Sequence, residues 1–155
     1  MNSTPIKVVG TMFFKDEKLL IDKPKKRKTY QMIGGKVEKN ETPLEAAIRE
    51  CHEELGPNAI FDEDKIKFVM DFIEIATSDP TKKIHMHIFI YEGELKGTLT
   101  TSEEIEKFMW FDSNGDYNIL SNTLKNERGV GKVPFYQLVG TMLPASSQQF
   151  IIQNS

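Results

Sequence analysis

The feature that most constrains the fold is a helix whose two ends are both encoded in the sequence. Thr42 is a good N-cap, Pro43 suits the first helical position, and Glu45 completes a T-x-x-E capping box. Gly56 is a stop signal, so the pattern predicts a helix over residues 43–55. Its apolar side chains recur at spacings of three, four and seven: Leu44, Ala47, Ile48, Cys51 and Leu55. This narrow stripe must be buried against another part of the chain.

The same helix carries three carboxylates that repel one another. Glu50, Glu53 and Glu54 occupy positions i, i+3 and i+4, which are neighbours on a helix surface. Arg49 can reach Glu45 and Glu53, each four residues away, and offsets only part of this repulsion. Two interpretations are open: a solvated charged face, or oxygen ligands for Mg²⁺, which binds carboxylates, water and substrate phosphates. In either case Glu53 and Glu54 are expected to be exposed.

The residues just upstream of the helix favour the metal-binding interpretation. Gly34 and Gly35 end a probable strand, where the backbone can pass close to a ligand or take a positive φ. Lys36 follows as a partner for phosphate, and Glu41 precedes the N-cap, where it could brace the loop. These residues form one compact surface on which a metal would bridge acidic side chains and substrate phosphates.

From Gly35 to Pro57 the sequence resembles the Nudix box, G-x5-E-x7-R-E-U-x-E-E-x-G-U, in which U is a bulky apolar residue. The residues on its fixed positions are Gly35, Glu41, Arg49, Glu50, Cys51, Glu53, Glu54 and Gly56. Two residues depart from the usual pattern, since Pro57 replaces the final aliphatic residue and Ile33 stands where many members have proline. Neither departure removes a ligand.

The resemblance implies a Nudix-type α/β/α sandwich around a mixed β-sheet, and hydrolysis of a nucleoside diphosphate linked to another group. It also implies that Glu50, Glu53 and Glu54 bind Mg²⁺, with Mn²⁺ as a substitute, and that the Gly34 carbonyl completes the site. Arg49 would orient the glutamates while water attacks phosphorus.

A general base often lies outside the box in this family. Glu103 is our choice over its neighbour Glu104 in the segment T-S-E-E-I. The competing interpretation is a turn capped by Ser102 with both acids exposed to solvent. The catalytic candidates are therefore Glu53, Glu50, Arg49 and Glu103.

The candidates for substrate binding are Lys36, Gly35, Tyr30 and Asn118. Lys36 and Gly35 are placed at the phosphates. Tyr30 or Trp110 would stack on a base, and Asn118 would bond a base edge, although cores and turns favour the same residue types.

The three histidines are not assigned to the site. His85 and His87 alternate on a predicted strand and share a face. A two-histidine metal site would need further ligands that the sequence does not place, so ordinary strand roles are favoured. His52 is expected at the surface.

The rest of the chain predicts a single mixed α/β domain over residues 1–155, with helices covering a sheet. The predicted elements are a hairpin of residues 6–14 and 19–21, strands over 66–76 and 84–95, a short strand at 109–111 and a helix over 117–126. The segment after Gly131 is ambiguous between helix and loop. The basic stretch of residues 23–28 is either a solvated loop or a binding patch for phosphates.

Composition limits the classes of binding partner that the protein is expected to have. A formal charge of -3 disfavours tight binding of a nucleic-acid polymer. The single Cys51 cannot form an internal disulfide, and it suggests a reducing compartment. Because no secretory signal or membrane-spanning apolar run is evident, we expect a cytoplasmic protein without a membrane partner, as a monomer or homodimer.

These features favour an Mg²⁺-dependent pyrophosphohydrolase acting on a nucleoside triphosphate, or on an oxidised analogue such as 8-oxo-dGTP. The enzymatic alternatives are a dinucleoside polyphosphate, ADP-ribose or a nucleotide sugar as substrate. A non-catalytic nucleotide-binding module is less favoured because all the box glutamates are present. A structural protein with a charged helix face leaves the glycine pair, Lys36, Glu41 and Arg49 without a common explanation.

Overall fold

The computed structural model describes residues 4–76, 79–125, 127–128 and 133–135. Its strands are β1 (Ile6–Met12), β2 (Phe14–Lys15), β3 (Lys18–Pro24), β4 (Ile33–Lys36), β5 (Ala59–Ile60), β6 (Ile66–Ile75), β7 (Lys83–Tyr91), β8 (Lys96–Gly97), β9 (Ile105–Phe111), β10 (Glu127–Arg128) and β11 (Val133–Pro134). Its helices are α1 (Pro43–Leu55) and α2 (Asn122–Lys125), with 3₁₀ turns at Glu63–Lys65 and Tyr117–Ile119. Among the described residues, no helix has the length and apolar character needed to cross a membrane.

A four-stranded mixed sheet in the order β4-β1-β7-β6 organises the fold. β1 is parallel to β7 and antiparallel to β4, and β6 is antiparallel to β7. A second sheet has the order β2-β3-β9. The strands predicted over residues 66–76, 84–95 and 109–111 are confirmed as β6, β7 and β9, with shifted ends.

The hairpin predicted from residues 6–14 and 19–21 is wrong in its main pairing. Only β2 pairs with β3, across a tight turn in which Asp16 and Glu17 have φ of 50° and 65°. β1 leaves this hairpin and pairs with β4 and β7 instead. Sequence signals for a hairpin are local, whereas the β1–β7 pairing joins residues far apart in the chain.

Helix α1 covers one face of the four-stranded sheet, where it packs on β1 and β4. Its fully buried side chains are Ala46, Ala47, Cys51 and Leu55. Leu44, predicted to belong to the buried stripe, is instead 44% exposed. The buried surface of α1 is centred on Ala46 and Ala47, which pack in one core cluster with Val9 and Ile33, and Leu44 lies outside it.

The opposite face of the sheet is covered by α2 and the residues around it. The helix predicted over residues 117–126 is broken, because the backbone of Tyr30 bonds the Ile119 carbonyl (2.7 Å) and the Ser121 amide (2.8 Å). Leu124 and Phe135 are fully buried in the core on this face. Helices on both faces of a mixed sheet confirm the predicted α/β/α arrangement. Beyond residues 133–135, the ambiguous segment after Gly131 lies outside the described residues.

Candidate metal centre and active site

The loop between β4 and α1 fixes where the carboxylate helix begins. The predicted capping box is present: the Thr42 hydroxyl accepts from the Glu45 amide (3.1 Å), and the Glu45 carboxylate accepts from the Thr42 amide (2.8 Å). Asn40 takes a left-handed conformation with φ of 66°. The start of α1 is therefore set by local bonds, which orient its carboxylate face toward β4.

The glycine pair is required by space rather than by a positive φ. A Cβ atom on Gly35 would lie 1.8 Å from Oε2 of Glu50, and one on Gly34 would lie 2.0 Å from the Val9 carbonyl oxygen. The Gly34 amide donates to Oε1 of Glu54 over 2.7 Å. The glycine pair thus allows the backbone of β4 to pass close to Glu50 and Glu54, two of the predicted metal ligands. The Gly34 carbonyl as a further ligand stays a prediction.

The three helix carboxylates differ sharply in exposure. The side chain of Glu53 is 58% exposed and that of Glu50 is 13% exposed. Burial raises the pKa of Glu54 to about 10, and the nearby Asp22 carboxyl adds to this shift. Burial also raises the pKa of Glu50 to about 7; Arg49 opposes the shift, while the charges of Glu53 and Glu104 add to it. The expectation of an exposed Glu54 is therefore wrong, because α1 turns this side chain inward against β4.

Asp22, in β3, is a buried acid that the sequence patterns did not identify. It is 0% exposed, and no N–H among the described residues bonds either of its carboxyl oxygens. Burial raises its pKa to about 7, and a hydrogen bond with Glu54 opposes the shift. The available signal was an acid ending the apolar run Leu19–Ile21. Asp22 and Glu54 form a carboxyl pair that repels when both are ionised.

Arg49 ties the loop and the helix together. Its guanidinium donates to both carboxylate oxygens of Glu41 (2.7 and 3.0 Å), to the Lys36 carbonyl (3.0 Å) and to Glu53 (3.2 Å). This fork lowers the pKa of Glu41 to about 2 and raises that of Arg49. The predicted contact of Arg49 with Glu53 is present. Glu45, the other predicted partner of Arg49, bonds the Thr42 amide in the capping box instead. Arg49 thus connects Glu53, a predicted metal ligand, to the end of β4.

A cavity of about 320 Å³ opens beside these carboxylates. Its lining consists of Glu50, Glu53, Glu54, Ser102, Glu103, Glu104 and Ile105. The loop before β9 therefore brings both candidate bases to the helix carboxylates. The Ser102 hydroxyl also accepts a long hydrogen bond from the Glu104 amide (3.3 Å). The turn capped by Ser102, predicted as the competing interpretation, is therefore present as well.

A second cavity, of about 220 Å³, lies on the opposite face of β4. Val8, Met32 and Met86 contribute apolar lining, and the polar lining includes Gly34, Gly35, Lys36, Arg27 and Lys82. Gly35 and Lys36 line this second cavity, and their contact with substrate phosphates stays a prediction. In the basic stretch, Lys23 and Pro24 end β3 and are half-buried, whereas residues 25–28 form an exposed loop whose Arg27 lines this cavity.

Two predicted substrate contacts are not at these cavities. Tyr30 is only 5% exposed and packs in the core beneath α2, so its ring cannot stack on a base. Asn118 is exposed in the 3₁₀ turn capped by Asp116 and lines neither cavity. Trp110 packs against the core beneath α1. His52 is exposed as predicted and contacts Glu63.

Comparisons with known proteins match this arrangement. The family model of the NUDIX domain matches residues 4–115. The RNA pyrophosphohydrolase of a Nitratiruptor species is 35% identical over 66 residues, which are 43% of this chain and 39% of that protein. A UDP-X diphosphatase has a TM-score of 0.59 at 17% identity, covering 99% of this chain and 64% of that one.

A MutT NUDIX hydrolase from Burkholderia pseudomallei also has a TM-score of 0.59 at 17% identity, covering 98% of this chain and 99% of that one. At such identities the solved structures show a shared fold alone. The domain match, however, spans most of the sequence and includes the whole glycine, arginine and glutamate constellation. The chain therefore belongs to the Nudix family.

Proposed function

We propose that the protein is a divalent-metal-dependent pyrophosphohydrolase that cleaves a nucleoside diphosphate linked to a further group. The observation that carries this proposal is the crowding of Glu50, Glu53, Glu54 and Asp22 beside an open cavity. Burying several carboxylates next to one another costs free energy, and a bound cation lowers this cost. A merely solvated charged face would leave its acids exposed, whereas the Glu50 side chain is 13% exposed and Glu54 is half-buried.

The donor set fits a hard cation. Carboxylate oxygens surround the 320 Å³ cavity, and Mg²⁺ prefers such ligands together with water and phosphate oxygens. Mn²⁺ accepts the same oxygen ligands. When bound there, the cation would neutralise phosphate charge and acidify the attacking water.

The protein's own residues then have distinct roles. Arg49 holds Glu53 and the Lys36 carbonyl in fixed positions, and Gly35 leaves room for the Glu50 carboxylate. The amide of Gly34 orients Glu54. One acid of the loop before β9 accepts a proton from the attacking water.

For the substrate we propose a nucleoside triphosphate, normal or oxidised as in 8-oxo-dGTP. β4 is the edge strand of its sheet, with the apolar-lined cavity on one face and the carboxylate cavity on the other. A nucleoside in the first cavity would send its phosphates over the glycine pair, past Lys36. At about 220 Å³, this cavity is below the roughly 300–1,000 Å³ typical for drug-sized ligands, which favours a mononucleotide over a dinucleoside compound.

A hydrolysis screen tests the proposal. Nucleoside triphosphates, 8-oxo-dGTP, dinucleoside polyphosphates, ADP-ribose, nucleotide sugars and 5′-triphosphorylated RNA would be incubated with Mg²⁺, with Mn²⁺ and with chelator. We expect metal-dependent release of a nucleoside monophosphate, fastest from a triphosphate. If no compound is cleaved and Mg²⁺ does not raise the melting temperature, the chain is a non-catalytic member of its family.

The two loop acids form a matched pair for identifying the base. Because the charge of Glu104 acts on Glu50, we place the base at Glu104 and not at Glu103, the sequence-based choice. Glu104→Gln is expected to lower kcat on the order of a hundredfold or more, while Glu103→Gln stays within a fewfold of the parent. The opposite ranking in steady-state kinetics would return the role to Glu103.

Lys36 gives a prediction about binding. Lys36 is exposed and lines the apolar-lined cavity, so Lys36→Ala is expected to raise KM about tenfold with little change in kcat. Lys39→Ala, in the loop that follows β4 and also exposed, serves as the control for lost surface charge. An unchanged KM for Lys36→Ala would remove Lys36 from the phosphate site.

A further inference from the structure

A second cluster of metal-ligating side chains lies on β6 and β7. Asp71 is paired directly with His87 across the two antiparallel strands, and His85 is two residues away on β7. Since residues i and i+2 share a face of a strand, all three side chains emerge on the same side of the sheet. One nitrogen or oxygen atom from each lies within 4.8 Å of the others.

The contacts within this cluster leave its atoms available to a cation. Nε2 of His85 lies 2.6 Å from Oδ2 of Asp71, and the two imidazole rings are 4.2 Å apart between centroids. Nδ1 of His87 is buried and has no hydrogen-bond partner among the described residues. Buried polar atoms normally have a partner. No such bond fixes the tautomer of His87, so its ring is free to present a nitrogen to a metal.

The donor chemistry differs from that of the α1 carboxylates. Two imidazoles and one carboxylate suit Zn²⁺ and its neighbours in the first transition series, whereas Mg²⁺ selects oxygen ligands. A tetrahedral Zn²⁺ site with Zn–N bonds of about 2.0–2.1 Å needs ligand atoms roughly 3.3 Å apart. The exposed Asp71 and half-buried His85 have room to make this adjustment.

The cluster is separate from the proposed active site. Along one row of the sheet, Gly35 pairs with Val9, Val9 with His87, and His87 with Asp71. At a strand spacing of roughly 4.8 Å, Asp71 is about 14 Å from Gly35. A cation at this cluster would therefore not be one of those held by Glu50, Glu53 and Glu54.

We propose that Asp71, His85 and His87 form a second metal site, selective for a divalent transition metal such as Zn²⁺, with water in the remaining coordination position. Within the described residues β6 is the outer strand of the four-stranded sheet, held there through β7. Metal binding at this point joins the two strands through side chains in addition to their backbone bonds. Because the ligands come together only in the folded chain, binding stabilises the native state.

The test is calorimetric titration of Zn²⁺ into the full chain in excess Mg²⁺, which saturates the carboxylate centre. We expect one Zn²⁺ per chain and a rise in melting temperature. His87→Gln and Asp71→Asn are each expected to weaken this binding at least tenfold. His52→Gln, which alters the remaining histidine, is the matched control and should bind Zn²⁺ as the parent does.

Circular dichroism and the melting temperature without Zn²⁺ would check that each variant folds. Asp71 is exposed, so Asp71→Asn keeps the test informative if His87→Gln is unstable. The proposal is overturned if Zn²⁺ does not bind, if Asp71→Asn binds it unchanged, or if Glu53→Gln abolishes it, since that result would locate the zinc at the carboxylate centre. None of these outcomes depends on hydrolytic activity.

Discussion

Glu53→Gln is expected to reduce kcat on the order of a thousandfold while leaving the fold intact. Loss of a charged metal ligand removes several kcal/mol of transition-state stabilisation, and each 1.36 kcal/mol corresponds to a factor of ten in rate. The side chain is 58% exposed and forms an ion pair with Arg49, so neutral glutamine leaves the core unchanged. Steady-state kinetics with Mg²⁺ and thermal melting of the same sample measure both effects.

The control for this variant is Glu94→Gln, which removes the same charge at an exposed position outside both cavities. It should retain parental kinetics. An active Glu53→Gln protein would mean that the exposed acid of α1 is part of a solvated face. An unfolded one would mean that its contact with Arg49 holds the loop and the helix together.

The second large effect concerns Glu54 and the stability of the metal-free protein. The native pKa values of Glu54 (about 10), Glu50 (about 7) and Asp22 (about 7) are raised above those of the unfolded chain, where these groups ionise near pH 4. At any pH between the unfolded pKa values, near 4, and the native ones, the native state therefore binds more protons than the unfolded state. Stability is full below about pH 4 for these groups, and it is lost as the pH rises through the native values.

Between pH 6 and pH 9 the free energy of unfolding of the metal-free protein is thus expected to fall by about 2 kcal/mol or more. Glu54→Gln removes one of the titrating groups and its repulsion with Asp22, so the decline should be smaller and the variant more stable than the parent at pH 9. Urea denaturation in chelator at several pH values measures this difference. A parent whose stability does not fall with pH would show that the carboxyl pair is solvated.

Glu54→Gln should also lose the stabilisation that Mg²⁺ gives the parent. Metal binding requires ionised ligands, so the parent releases protons when Mg²⁺ binds near neutral pH. Calorimetric titrations in buffers of different ionisation enthalpy would detect this release. Glutamine at position 54 has no proton to release, so the number of protons released per bound Mg²⁺ should be smaller than in the parent.

The parts of the site that sequence predicted are those that local bonding determines. The capping box, the limits of α1 and the contact of Arg49 with Glu53 follow from residues close together in the chain, whereas the bonds from Arg49 to Glu41 were not predicted. A need for glycine at position 35 was predicted from sequence, with either a close backbone approach or a positive φ as its cause. Its cause is the Glu50 carboxylate, which would lie 1.8 Å from a Cβ atom at that position, and not a positive φ. That cause depends on how α1 packs on β4, which sequence alone does not give.

The parts that sequence did not predict depend on which strands meet. Asp22 is fully buried where β3 bridges to Gln31, and the half-buried Glu54 of α1 lies beside it. Tyr30 is in the core because its backbone bridges to the segment around Leu120. Asp71 became a partner for His85 and His87 only through the register of β6 on β7. None of these pairings leaves a signal in the spacing of nearby residues.

The most direct test of the carboxylate metal centre is a crystal of the protein soaked with Mn²⁺ and a non-hydrolysable nucleoside triphosphate, with data collected at the manganese absorption edge. We predict an anomalous peak among Glu50, Glu53 and Glu54, with phosphate oxygens in contact with the same ion. A nucleotide bound elsewhere, or a carboxylate cavity without manganese, would contradict this prediction.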